Sequence, residues 1–249
     1  MLSAVIITKN AADTLGMCLE SLKFADEIVV LDCGSEDRTT EIAEFYGAKL
    51  SRTIDWPGFG KQKNKAIDLA SHDWVLSIDA DEVVSPELQA EILQVTSRPP
   101  SNTAFQLKRL SWFCGKPICH SGWQNDWVLR LFARGNAKFS EDLVHERLVT
   151  QDKIIRLGSP LYHYSFNTFE EVIEKMDRYS SASALQLFMS HRKASVYKAV
   201  AHGTWAFVRT YFIKFGFLDG PHGLALAIAN AEGTYYRYLK LWHLNNKNH

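Results

Sequence analysis

The sequence predicts an α/β fold: a mostly parallel sheet flanked by helices, followed by a C-terminal helical appendage. Three observations lead there. Over residues 1–95, short apolar runs alternate with stretches of helical periodicity, the pattern of βαβ units. Two of those runs end in aspartates, Asp32 and Asp79, at the strand ends where open α/β sheets bind ligands. Beyond residue 169 the strand pattern gives way to long helical stretches.

Leu2–Thr8 is apolar and rich in β-branched residues, a buried strand. Asp13 is placed to cap a helix running to about Leu22. Glu27–Asp32 is the second strand; Ser35 or Asp37 caps a helix through about Tyr46, which Gly47 stops. Lys49–Arg52 reads as a weak third strand and Gly60–Ala70 as a helix. Trp74–Asp79 is the fourth strand, and Ser85-Pro86 opens a helix to about Val95. Thr103–Phe113 and Trp127–Phe132 read as strands separated by a loop rich in Gly, Pro and Trp. Helices are expected over Phe169–Met189, Val196–Phe215 and Leu218–Leu241. The expected division is a sheet domain over 1–166 and a helical region over 167–249.

With 46% hydrophobic and 22% charged residues, the 249-residue chain is globular in composition. Twenty-eight basic residues balance 28 acidic ones, which disfavours a nucleic-acid binder. The balance is uneven: residues 1–150 hold 16 Lys/Arg against 21 Asp/Glu, while from Arg178 onward the count is 9 against 2. The longest stretches free of charge span 13 residues (157–169 and 179–191), short of the ~20 that a membrane-spanning helix needs. No basic, then apolar, leader opens the chain. Cys18, Cys33, Cys114 and Cys119 are sparse and irregularly spaced, as expected of reduced thiols in a cytoplasmic protein.

Four constellations could carry chemistry. Asp32 heads Asp32-Cys-Gly-Ser-Glu-Asp37 and can accept hydrogen bonds from a nucleobase or ribose, or serve only a capping turn. Asp79-Ala-Asp81 puts two carboxylates on one side of a strand end, next to Glu82, a set suited to a hard divalent cation or to a solvated acidic turn. Lys61 and Lys65 share one helix face and favour anions, or simply face solvent. His145-Glu146, preceded by Glu141-Asp142, offers a general base or metal ligand, or an edge-strand charge cluster. His120, Trp123 and Asp126 bring aromatic and polar groups together, as sugar sites do, although tryptophans are also common in cores. Neither a G-x-G-x-x-G nor a Walker-type phosphate loop is present.

Taken together, the motifs Ile6–Asn10, Val30–Asp37, Lys61–Asn64 and Ser77–Glu82 resemble the inverting glycosyltransferases of family 2, with the GT-A fold. Trp123 with Asp126, Arg130-Leu-Phe132, Val144-His-Glu-Arg147 and Gly216–Gly220 look like the subgroup of bacterial lipopolysaccharide-core heptose β-1,4-glucosyltransferases. The resemblance implies UDP-glucose as donor and a lipid-linked inner-core heptose as acceptor. It implies Thr8, Asn10, Asp32, Lys61 and Asn64 around the nucleotide and Asp79 on the ribose or diphosphate; Arg130 and Arg147 carry the charge to contact phosphate, or serve as structural ion-pair partners. Mg²⁺ or Mn²⁺ would sit on Asp81, with Asp79 and His145 beside it. Glu146 is the expected base and Asp142 the runner-up; His120, Trp123 and Asp126 would face the acceptor. The Q-x-x-R-W motif of processive members is missing, since Gln106–Leu110 lacks its tryptophan. A sugar nucleotidyltransferase, a family member with another lipid-linked or capsular acceptor, and a scaffold that keeps only the fold are the alternatives; the retained acidic site argues against the last.

In the tail, Lys198, His202, Trp205 and Arg209 fall within about 60° of one another on a helical wheel. Tyr197, Ala201, Val208, Tyr211, Phe212 and Phe215 form a separate apolar face. The expectation is that this face packs inward while the basic stripe docks on the anionic cytoplasmic leaflet of the inner membrane.

Overall fold

The computed structural model describes residues 1–140 and 146–247. They form two compact units: Met1–Arg109 with Asp126–Tyr164, and Leu110–Asn125 with Ser165–His249.

The first unit is built on a mixed sheet. Strands β1 (Leu2–Thr8), β2 (Glu27–Asp32), β3 (Lys49–Arg52) and β4 (Trp74–Asp79) run parallel in the order β3-β2-β1-β4. Val5, Val29, Leu31 and Val75 point to one face and Ala4, Ile6, Val30, Leu76 and Ile78 to the other, and both faces are buried, which is why these strands are almost continuously apolar. Helices α1 (Ala12–Ser21) and α4 (Pro86–Thr96) supply Leu15, Leu19, Leu88 and Ile92 to one core; α3 (Phe59–Asp68) supplies Ala66 and Ile67 to the other. The order continues β8 (Asp126–Ala133), β6 (Thr103–Phe113), β11 (Lys153–Phe166), β5 (Glu82–Val84), with β8 antiparallel to β4 and β6, and β5 antiparallel to β11. Register places Thr8 beside Asp32 and Ile7 beside Asp79, so the carboxyl ends of β1, β2 and β4 form one rim.

Several local expectations need correction. Asp13 does not cap α1; it lies in the first turn, behind the unassisted start at Ala11. Helix α2 spans Thr39–Phe45, and neither Ser35 nor Asp37 is its N-cap. Ser35 instead donates to Asp32, while Asp37 accepts from Thr39 and Ala12. Ser85 does cap α4, accepting from Leu88 N at 3.1 Å. The 14-residue β11 was not among the expected strands. In the fold, Glu91 of α4 accepts from the backbone N–H groups of Gly158 and Ser159, which lets the strand run on past the proline. The short β9 (Ala137–Phe139) and β10 (Leu148–Thr150) pair antiparallel.

The second unit is helical, apart from the ends of β6 and β11 and the two-residue β7 (Lys116–Pro117). Thr168 caps α5 (Phe169–Met189) by accepting from Glu171 N, and the Glu171 carboxylate accepts from Asn167 N, one residue before the cap, a variant of the capping box. Ser195 caps α6 (Val196–Val208), which widens into a π-helical turn over Arg209–Ile213 and is followed by a 3₁₀ turn, Gly216–Asp219, and α7 (Gly220–Asn246). The expected inward face of α6 is reversed. Ala199, Gly203, Ala206 and Thr210 are the buried residues, while Tyr197, Phe212 and Phe215 are exposed. Gly203 explains the choice: a Cβ there would stand 3.1 Å from Tyr235 Cβ and 3.2 Å from Ala231 O, so α6 approaches α7 along its small-residue side. His202 of the expected basic stripe stacks on Tyr238, with ring centroids 4.1 Å apart.

Candidate active site

The rim of the first unit carries a chain of buried and half-buried charges. Lys63, on α3, is buried and extends its ammonium between Asp79 (2.8 Å) and Glu146 (3.2 Å). The second oxygen of Asp79 accepts a short hydrogen bond from Arg130 of β8. The same guanidinium nitrogen reaches Glu82 at 2.8 Å, Arg109 of β6 stands 3.4 Å from Glu82, and Arg109 Nε donates to Asp126 at 2.7 Å. Glu82 is fully buried and also accepts from Asp79 N, which closes the tight turn after β4. Three cations thus face four carboxylates, leaving one negative charge in excess. Burial opposes ionisation of Asp79, but Arg130 and Lys63 outweigh it and hold its carboxyl well below the usual range. Burial likewise opposes the charge on Arg130, and Asp79 and Glu82 raise it regardless.

Asp81 turns away from this chain. Its carboxylate is a third exposed and lies 3.4 Å from His163 Nε2, while its carbonyl accepts from Tyr164 N. His163 sits opposite Glu82 in the β11–β5 register, so the unexpected strand delivers an imidazole to the Asp79–Glu82 turn. Lys63, Arg109 and His163 are members of the site that the sequence did not single out. Lys61 and Lys65 share the exposed face of α3, and the signal for Lys63 was its i+4 partner Ile67, which is buried. His163 lies in a stretch for which no strand was expected.

Asp32 is buried, and both its oxygens accept from neighbours: Thr8 Oγ1 (3.0 Å), Gly34 N (3.0 Å), Ser35 N (2.9 Å) and Ser35 Oγ (2.5 Å). Asn10, with φ of 50°, binds the same loop through Ser35 Oγ and Glu36 N. Thr8, Asn10 and Asp32 therefore come together as one organised rim. Asn64 uses its amide as a strand would, donating to Phe139 O (2.9 Å) and accepting from Phe139 N (2.8 Å). Lys61 lies on the exposed side of α3. Arg147 is exposed, and its backbone pairs with Ser140. Gly60 lets α3 approach this hairpin: a Cβ there would fall 2.0 Å from Ser140 O and 3.4 Å from Glu146 Cβ.

Asp142 and His145 lie outside the described residues. Among the described residues, no group of three His, Cys, Asp or Glu side chains is arranged to hold a metal ion. Asp126 is held by Arg109. His120 and Trp123 belong to the second unit. There Trp123 stacks on Phe166 and meets Phe113 edge-on, as part of a small core. His120 is held by Asp219, which accepts from its backbone N and Nδ1 as well as from Cys119 N and Ser121 Oγ. All four cysteines are free thiols.

A family model described as glycosyl transferase family 2 matches residues 3–132. An uncharacterized glycosyltransferase of Rickettsia bellii is 32% identical over 266 residues, covering 98% of this chain and 87% of its own length. The lipopolysaccharide core biosynthesis glycosyltransferase LpsC of Rhizobium meliloti is 29% identical over 251 residues, covering 95% and 93%. The crystal structure of S. aureus TarS 1-349 in complex with UDP shares the fold, with a TM-score of 0.50 at 16% identity, covering 100% of this chain and 92% of that one.

Proposed function

The chain belongs to glycosyl transferase family 2, and from that premise we propose that it moves a hexose, glucose from UDP-glucose, with inversion onto a lipopolysaccharide inner-core heptose or a similar lipid-linked glycan. The similarity to LpsC along nearly the whole of both chains supports the acceptor class. The observation that carries the reaction class is the strand-end chain Glu146–Lys63–Asp79–Arg130 with Asp81 beside it.

In this reading the rim of Thr8, Asn10 and Asp32 receives the nucleoside, and Lys61 at the start of α3 faces the anionic side of the donor. Asn64 and Arg130 act indirectly, Asn64 by fixing β9 against α3 and Arg130 by fixing Asp79. Asp79 lies where the ribose or diphosphate would pass. Asp81 offers a hard carboxylate on a rim with excess negative charge, which suits Mg²⁺ or Mn²⁺ shared with phosphate oxygens, and the adjacent His163 imidazole favours Mn²⁺ of the two. Such a cation, when bound, supplies Lewis-acid stabilisation of the departing diphosphate. Glu146 takes the proton from the attacking acceptor hydroxyl, and Lys63 fixes its position. Arg147 is available to phosphate, and His120, with its ring oriented by Asp219, to the acceptor. Docking on an anionic membrane surface fits a lipid-linked acceptor: between Asp177 and Asp219 the sequence has basic residues and no acidic one. Among the described residues no helix is long and apolar enough to cross a membrane.

The test is a donor screen with UDP-glucose, UDP-galactose, UDP-GlcNAc and GDP-mannose on a heptose-terminated acceptor, following nucleotide release with Mg²⁺ or Mn²⁺. Release dependent on both acceptor and UDP-glucose supports the reading. Preference for another donor replaces the sugar, and no acceptor-dependent release from any donor overturns it.

A further inference from the structure

We propose that the second unit inserts an apolar edge into the lipid interface, with Trp205 on α6 and the Phe212–Leu218 turn as the inserting side chains; this rests on the membrane-docking part of the reading above. Because the small-residue side of α6 faces α7, the opposite side is left in solvent. It carries Tyr197, Val200 and Trp205, and the turn adds Phe212, Ile213, Phe215, Phe217 and Leu218, all exposed. At the turn the rings form one cluster: Phe207, Tyr211 and Phe212 touch one another, and Tyr211, Phe217 and Phe215 extend it. Contiguous exposed aromatic surface of this kind marks an interaction site.

Two further observations indicate lipid as the occupant. Arg192, Lys193, Lys198, Arg209 and Lys214 are all exposed along this stretch, and no acidic residue lies between Asp177 and Asp219. Aromatic residues bordered by cations suit the interface of an anionic bilayer, where the rings enter the headgroup region and the cations meet phosphates. A second copy of this chain would instead set like charges against each other. In addition, Phe215 holds φ at 56°, a left-handed backbone that a bulky residue rarely adopts, with its ring exposed. Glycine would fit that backbone better and would lose little packing, so the exposed phenyl group contributes little to the fold itself. The preceding π-helical turn, Arg209–Ile213, is a feature often found at functional sites.

The test uses the full chain with vesicles of phosphatidylethanolamine and phosphatidylglycerol, by flotation and by quenching of tryptophan with shallow spin-labelled lipid. Insertion predicts that vesicle binding weakens but persists in 0.5 M salt. It also predicts a quenched tryptophan signal that Trp205→Phe removes. Phe215→Gly should keep or raise Tm yet reduce binding in high salt by about tenfold or more, and Phe212→Ser/Leu218→Ser should act in the same direction. The Lys198→Glu/Arg209→Glu variant should lose its low-salt component only. Binding that vanishes in 0.5 M salt and ignores Phe215→Gly would leave electrostatic docking intact and refute insertion. No binding to any vesicle would refute both, and a concentration-dependent dimer that shields Trp205 without lipid would give the face to a second copy and overturn the proposal.

Discussion

Replacing Lys63 by Met tests whether the charge chain holds the site together. Methionine keeps the apolar stem and removes the ammonium, together with its cation–π contact 5.1 Å from the Phe139 ring centroid. That ammonium stands 2.8 Å from Asp79 and 3.2 Å from Glu146. At an effective dielectric of ~20 each contact amounts to about 5–6 kcal/mol before desolvation. Burying the ammonium costs several kcal/mol in return, so the net loss expected on removing one partner of a buried cluster is about 3 kcal/mol. For a chain of this size that corresponds to a fall in Tm of roughly 6–12 °C at pH 7. The pH dependence has a definite sign. Asp79 is held below its unfolded value by Arg130 and Lys63, against burial, so its contribution is present above ~4 and is lost as pH falls. The gap between wild type and Lys63→Met should therefore hold down to about pH 4 and narrow only as pH falls below it. Adding Glu146→Gln to Lys63→Met should cost less than the sum of the two changes by about 1 kcal/mol or more. A fall in Tm under ~2 °C, a gap independent of pH, or strict additivity would each refute the electrostatic account of the site.

Glu146→Gln should lower turnover by about two to four decades with UDP affinity nearly unchanged; if Asp142→Asn does so instead, the roles exchange, and near-normal turnover in both removes this segment from the chemistry. UDP should raise Tm more strongly with Mn²⁺ or Mg²⁺ than with EDTA, and Asp81→Asn or His163→Ala should each remove most of that difference; a shift indifferent to EDTA and to both variants would disprove the assigned donor pair. Burial works against ionised Glu27, yet hydrogen bonds from Ser3 and Ser71, with help from Lys49, lower its pKa from 4.5 to about 2. The linked stability, at most ~3 kcal/mol, is complete above pH 4.5 and lost as pH falls toward 2, so Glu27→Gln should flatten acid unfolding in that window; an unchanged acid limb would count against it.

Most of the strand-and-helix pattern of the first unit was legible, because strands buried on both faces must be apolar throughout and Ser85-Pro86 is a strong helix start. That Asp79 and Asp81 stand at a strand end was legible, but not their different surroundings. Which carboxylate meets Lys63 and Arg130, and which meets His163, depends on β8 and β11, whose pairing brings together residues 51 and 82 positions apart. Ser35 and Asp37 were misread as helix caps, since Asx-type hydrogen bonds use the same residues for caps and for loops. On α6 the wheel separated the faces correctly and mistook which one packs: small residues allow closer helix approach than aromatic ones, and Gly203 decides the matter without contributing to any hydrophobic count.

Asp219 bears on how the chain is made. Its carboxylate gathers the backbone and side chains of Cys119, His120 and Ser121 from 100 positions earlier. Segment Leu110–Asn125 belongs to the second unit although it is synthesised between two pieces of the first. At roughly 5–20 residues per second, it waits about 5–20 s after emerging before residue 219 is even made. During that interval Phe113, Ile118 and two thiols lack their native neighbours, so the newborn protein passes through a sticky adolescence that its finished form gives no hint of.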